Sequence, residues 1–91
     1  MKAIYKYPLE ITDFQQITLP GDAEILSVIA QDDRPVLYAL VDTEDKTGRP
    51  IDIHIFGTGK PKEAIDDLDF MATVSTCDGQ LIWHVFLGRN K

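Results

Sequence analysis

The sequence predicts a mostly β domain, with about seven short antiparallel strands in a small sandwich or bent barrel and at most one short helix near residues 61–68. Short runs of apolar or alternating residues recur along the chain, and clusters of Gly, Pro and Asp close them. Only residues 62–68 show helical spacing, through Ala64, Ile65 and Leu68. No internal repeat and no Ser-, Gly- or Pro-rich linker divides the chain, so residues 1–91 read as a single domain.

Lys2, Ile4 and Lys6 alternate with Ala3, Tyr5 and Tyr7, which is the period of an extended strand; Pro8 closes it, because proline has no N–H for a ladder. Residues 15–19 read as a second strand, after a stretch around Thr12-Asp13 where a single helical turn fits. Pro20-Gly21-Asp22 is a turn signal. Residues 24–31 have strand density in Ile25, Leu26, Val28 and Ile29. Asp32-Asp33-Arg34-Pro35 reads as a polar turn, and residues 36–42 are a near-continuous apolar run. These two runs predict an antiparallel hairpin buried on both faces for part of its length. Residues 42–50 are acidic and aperiodic, the mark of an exposed loop. Ile51, Ile53 and Ile55 then alternate with Asp52, His54 and Phe56 in a half-buried strand.

Gly57-Thr58-Gly59-Lys60-Pro61 breaks that strand. Residues 62–68 predict a short helix or a turn, since Asp66, Asp67 and Asp69 oppose the negative end of a helix dipole. Residues 69–77 read as a strand, Asp78-Gly79 as a type I′ turn and residues 80–87 as the returning partner. Gly88-Arg89-Asn90-Lys91 is a short polar tail. The large aromatics Trp83, Phe86, Phe56, Tyr38, Tyr5 and Tyr7 are expected mostly in the core, with Trp83 or Tyr7 the candidates for a stacking wall or an oligomer interface.

Nine Lys and Arg against fifteen Asp and Glu leave a formal charge of −6. Direct nucleic-acid binding needs clustered cations, so this balance argues against it and favours a basic partner or plain solubility. A chain this short buries a modest share of its surface, which makes a homo-oligomer an expectation. Cys77 is the single cysteine and cannot form an internal disulfide. The N-terminal residues lack the apolar run of a signal peptide, and no stretch is long and apolar enough for a membrane span. The expectation is a cytoplasmic chain without membrane association.

Gly57-Thr58-Gly59-Lys60 has the elements of an anion-binding turn: glycines let backbone N–H groups converge, and Lys60 adds a positive charge. A Walker A loop is excluded, because His54 stands where its first glycine belongs and Pro61 replaces its Ser or Thr. The dinucleotide fingerprint fails at Lys62. A glycine turn that redirects the chain is the simpler reading. His54 and His84 lie in strands without HxH or HExxH spacing, and Cys77 is in no CxxC pair, so neither a metal site nor a cofactor is predicted. Ser27 and Ser75 have no nucleophile elbow around them. No catalytic residue is assigned.

Six stretches, in order, carry a resemblance: Lys6-Tyr7-Pro8-Leu9; Leu19-Pro20-Gly21-Asp22-Ala23-Glu24-Ile25-Leu26; Leu37-Tyr38-Ala39-Leu40-Val41-Asp42; Phe56-Gly57-Thr58-Gly59; Ala72-Thr73; and Trp83-His84-Val85-Phe86. The chain resembles a family of short uncharacterised proteins encoded by bacteriophages and prophages. It departs from that pattern at Tyr38, where tryptophan is expected, at Lys60, where histidine is common, and at Leu87, where an acid often stands.

The family has no assigned catalytic residues to carry over. The resemblance implies a host-cell setting and a small accessory protein that binds or sequesters a host component, as anti-defence proteins do. The partner is then a host protein or a small anionic ligand such as a signalling nucleotide. For a ligand, Gly57, Thr58, Gly59 and Lys60 are the candidate residues, with Arg89, Trp83 and His84 beside them. One alternative is an acidic protein–protein inhibitor that mimics nucleic acid, through Asp42, Glu44 and Asp45 or Glu63, Asp66, Asp67 and Asp69. A second is a small enzyme with a pocket around His54 or His84.

Overall fold

Alternation along a strand produces two faces, and in this chain the Ile, Val and Leu positions of one face meet across two sheets. The computed structural model describes residues 1–89 and contains seven strands: β1 (Lys2–Pro8), β2 (Gln15–Pro20), β3 (Glu24–Gln31), β4 (Arg34–Asp42), β5 (Gly48–Gly57), β6 (Leu68–Thr76) and β7 (Leu81–Gly88). Asn90 and Lys91 of the expected tail lie outside the described residues. Every pairing is antiparallel. One sheet has the order β1-β4-β3 and the other β2-β5-β7-β6, so the fold is an all-β sandwich.

Tyr7, Ile25, Val28, Leu37, Ala39 and Val41 from the first sheet share one apolar cluster with Ile17, Leu19, Ile51, Ile53, Ile55, Val74 and Val85 from the second. Leu9, buried between the sheets, is fixed through its backbone. Its N–H donates to the Pro35 carbonyl at 2.9 Å, and its carbonyl accepts from the Arg34 guanidinium at 3.1 Å. The expectation that aromatics fill the core is corrected by this arrangement. Ile, Leu, Val and Ala form its buried centre, Tyr7 and Trp83 pack against it half-buried, and of the six aromatics named above only Phe56 is buried.

Several boundaries also differ from the sequence reading, each for a local reason. The polar turn before β4 is only Asp32-Asp33, with φ of 52° and 62°, the left-handed pair of a type I′ turn. Arg34 and Pro35 are already in the strand. Proline is tolerated there because the Leu9 carbonyl, which the missing Pro35 N–H would face, accepts from the Arg34 guanidinium instead. The expected loop over residues 42–50 shrinks to residues 43–47, since Gly48, Arg49 and Pro50 pair with Pro20, Leu19 and Thr18. The expected Asp78-Gly79 turn is present, with φ of 56° and 84° and the Gln80 N–H donating to the Cys77 carbonyl, and a second turn overlaps it one residue earlier: Cys77 has φ of 53°, and the Gly79 N–H donates to the Thr76 carbonyl. That Cys77 is left-handed is a local cost, and its N–H is taken by Asp33 Oδ1 at 2.7 Å, which ties the two hairpin turns together.

The segment expected to be a short helix or a turn is one 3-10 turn, Ile65–Asp67. Strands β5 and β6 both run antiparallel to β7, so they are parallel to each other and need a crossover. Residues 58–67 supply it, running back along the outside of the four-stranded sheet. This strap explains why Phe56 is buried on the outward face: Lys62 Nζ lies 5.5 Å from its ring centroid.

The 43–47 loop is organised by Asp45. Its carboxylate accepts from the Thr47 hydroxyl at 2.6 Å and amide at 2.8 Å, and from the Asp22 amide at 3.1 Å. The Thr47 hydroxyl, then the Thr47 amide, hold the carboxyl down at about 2. A carboxyl whose pKa is lower when folded stabilises the fold above the unfolded pKa and loses that contribution as pH falls through the folded one. The melting temperature of the wild type should therefore exceed that of Asp45→Asn at neutral pH, and the gap should close between about pH 4 and pH 2. Separately, Ile53→Ala removes a side chain with no exposed surface from a strand paired on both sides. Denaturant unfolding should show a loss of about 2–5 kcal/mol with an unchanged m-value.

Candidate functional site

Strand β5 ends at Gly57, which pairs across the ladder with Trp83 of β7. The indole lies beside the Gly57 backbone: a Cβ on Gly57 would stand 3.7 Å from the ring carbon Cζ3, an ordinary van der Waals contact. The indole is fixed at its other side by Nε1–H, which donates to Thr76 Oγ1 at 3.0 Å. Trp83 is thereby a half-buried, anchored wall at the end of the sandwich.

Two depressions meet at this pair. One, of about 480 Å³, is lined by Ile11, Thr12, Asp13, Ile55, Gly57, Lys60 and Trp83. The other, of about 320 Å³, is lined by Gly57, Thr58, Leu81, Ile82 and Trp83, with Gln80 at its rim. Both fall within the range of small-ligand sites, about 300–1,000 Å³. Lys60 supplies the positive charge of the larger cleft, and Asp13 and Thr12 supply acceptors on the facing side.

Four of the seven residues singled out in the sequence therefore line these clefts: Gly57, Thr58, Lys60 and Trp83. Gly59 does not line either; its φ of +85° makes the turn that brings Lys60 round. The turn closes by the Lys60 N–H donating to the Gly57 carbonyl at 3.4 Å. That amide points into the turn, so the charge available to an anion is the Lys60 ammonium. Ile11, Thr12 and Asp13 carried no sequence signal, because only the crossing of residues 9–14 between the sheets brings them to Trp83.

His84 and Arg89 stand elsewhere. His84 follows Trp83, so it points to the opposite face, where Thr58 Oγ1 lies 2.7 Å from Nε2 and Thr73 Oγ1 3.0 Å from Nδ1. Each ring nitrogen thus meets one threonine hydroxyl, and the ring is a clasp joining the crossover to β6. Arg89 lies at the far end of β7, beside Gly88, and its Nε donates to Asp69 at 2.9 Å. It borders a third depression, of about 340 Å³, with Asp52, His54, Asp67, Leu68 and Gly88. Among the described residues, no three His, Cys, Asp or Glu side chains are grouped as metal ligands.

The outward face of the four-stranded sheet carries an aromatic row that follows one register across all four strands. Phe14, just before β2, is 5.2 Å from His54 on β5. His54 pairs with Phe86 on β7, and Phe86 meets Phe70 on β6 at 5.4 Å, edge to face. The acidic residues divide into two kinds. Asp42 and Glu44 hold the Met1 ammonium at 3.1 and 3.0 Å, and Asp45 organises its loop, so these three are engaged internally. Glu63, Asp66 and Asp67 are exposed on the crossover.

A family model described as a domain of unknown function (DUF7352) matches residues 1–91. The chain belongs to that family. No curated protein and no solved structure matches it. No helix among the described residues is long and apolar enough to cross a membrane.

The Gly59 turn gives a direct check on how the site is shaped. Nothing lies within 4 Å of the position a Cβ would take, so the backbone angle alone resists a side chain. Gly59→Ala should cost about 1–2 kcal/mol in denaturant unfolding without a steric clash. Its tryptophan emission should match the wild type, because Trp83 is held by Gly57 and Thr76.

Proposed function

We propose that this protein is a non-enzymatic binding protein, and that its ligand is a small anion carrying a planar ring, a nucleotide being the chemical class that fits. The observation that supports this is the larger cleft at the end of the sandwich, where an anchored indole and a lysine ammonium stand together. A ring stacks on Trp83, a phosphate meets Lys60, and hydroxyl or amino donors of the ligand meet the Asp13 carboxylate and Thr12 hydroxyl. The resemblance to bacteriophage-encoded proteins adds the setting: sequestration of a host signalling nucleotide, an anti-defence role in the host cytoplasm.

Binding without turnover is the reading because the groups in the cleft recognise rather than react. Lys60 and Asp13 are exposed, with no histidine or thiol beside them. His84 has both ring nitrogens occupied by threonine hydroxyls on the other face.

Trp83 is the single tryptophan, so its emission reports directly on this cleft. Titration with linear and cyclic mono- and dinucleotides should quench it, calorimetry should show heat of binding, and chromatography should recover the ligand unchanged. Lys60→Gln should weaken binding by about tenfold or more, as expected for loss of a charge-assisted hydrogen bond. Absence of quenching and of heat at millimolar nucleotide would remove the proposal.

A further inference from the structure

The most continuously apolar strands, β3 and β4, are buried on both faces only around Val36; the rest of their outward face is left partly open. Their inward residues belong to the core cluster. Outward, the ladder places Lys2 beside Asp42, then Ile4, Leu40 and Glu24 in one row, Lys6, Tyr38 and Ser27 in the next, and Pro8, Val36 and Ile29 in the next. Leu26 stands in a bulge between the second and third of these rows. Ile4, Leu26 and Ile29 are 61%, 41% and 47% exposed, so no described element lies over them. A strand that is apolar on both faces belongs in the interior of a layered structure, with protein on either side.

We propose that a second copy of this chain covers this face, forming a dimer about a two-fold axis that runs along β4. The charges select both the occupant and the axis. On this face β1 contributes Lys2 and Lys6 and the β3 edge Asp22 and Glu24; Lys2 Nζ already lies 3.5 Å from Asp22 Oδ2 of the same copy, so Lys6 and Glu24 are the exposed charges left for a partner. An axis along β4 lays β1 of each copy across β3 of the other, which brings Glu24 between Lys2 and Lys6 of the partner copy. An axis across the strands lays β1 on β1, lysine against lysine. The interface is isologous, so each favourable pairing occurs twice.

The centre of the face is suited to burial. Tyr38 donates its hydroxyl to Gln31 Oε1 within the same copy, so covering the ring strands no polar group. With strands about 4.8 Å apart and about 3.3 Å of rise per residue, the face spans roughly 14 × 23 Å. This is well below the area of a standard interface, about 800 Å² per partner, so the dimer is a weak, reversible one.

Sedimentation equilibrium of the full chain, from low to high micromolar concentration, tests this. The mean mass should rise with concentration from 10.2 kDa towards twice that value. Lys6→Glu and Glu24→Lys, both at exposed positions, should each weaken the dimer by about tenfold, and combining them in one chain should restore it to within about threefold. Phe70→Ser, on the outward face of the other sheet, should leave it unchanged. A monomer at every concentration overturns the proposal. So does a dimer that ignores both charge reversals, one lost with Phe70→Ser, or single reversals that the combined variant does not repair.

Discussion

The apolar cluster shared by Leu37, Ala39 and Val41 of β4 and Ile51, Ile53 and Ile55 of β5 holds together the two sheets, which approach most closely where β3 lies beside β6. Strands β4 and β5 are consecutive in the chain yet lie in different sheets, and only residues 43–47 separate them. A short connection of this kind has a small closure cost and lets the two inward faces meet early in folding. Asp45 determines the path of that connection, because its carboxylate binds Thr47 within the loop and Asp22 on the link from β2 to β3. β1 and β3 flank β4, β2 and β7 flank β5, and β6 adds to the far side of β7.

Given that shared cluster, parity assigns every other side chain. Inward positions of β5 are isoleucine, so Asp52, His54 and Phe56 must face out. The outward face of a β-sheet cannot leave phenylalanines wholly wet without cost, and here they cover one another. Phe56 and Phe86 are 5.5 Å apart, Phe70 meets Phe86 edge to face, and the crossover lays Lys62 over Phe56. The Thr58–His84–Thr73 clasp fixes the start of the same crossover. The glycine turn and the aromatic face are therefore parts of one device: Gly59 turns the chain back, and the chain then shields the ring that parity sent outward.

Strand content was legible because period-2 alternation and turn chemistry are local properties. Ile51, Ile53 and Ile55 announce their strand without reference to anything else. The errors fall where a distant partner overrides a local signal. Gly48, Arg49 and Pro50 look like loop until β2 offers them a ladder, and Pro35 looks like a turn residue until Arg34 supplies the donor it lacks. The aromatics were misplaced because residue size predicts burial on average, while parity decides it strand by strand. At the site, Gly57 to Lys60 and Trp83 were visible as a turn and an indole, but Thr12 and Asp13 were not. Arg89 and His84 follow Trp83 in sequence, and neither shares its cleft, since β7 turns His84 to the other face and carries Arg89 to the other end.

The two surfaces that the fold leaves open are geometrically independent. The cleft opens at the strand ends, where Trp83 and Gly57 of the four-stranded sheet meet residues 11–13. The apolar face that would receive a second copy is the outside of the three-stranded sheet. Pairing two copies through that face puts both four-stranded sheets on the outside of a four-layer assembly, with the aromatic rows and crossovers facing outward. Residues 11–13, Lys60 and Trp83 contribute nothing to the shared face, so each copy keeps its cleft open. Occupancy of the cleft has no direct contact through which to alter the charge pairs between β1 and β3. If both proposals hold, the ligand affinity of one copy would be set by its own Trp83, Lys60 and Asp13, and the dimer would present two equivalent, uncoupled sites.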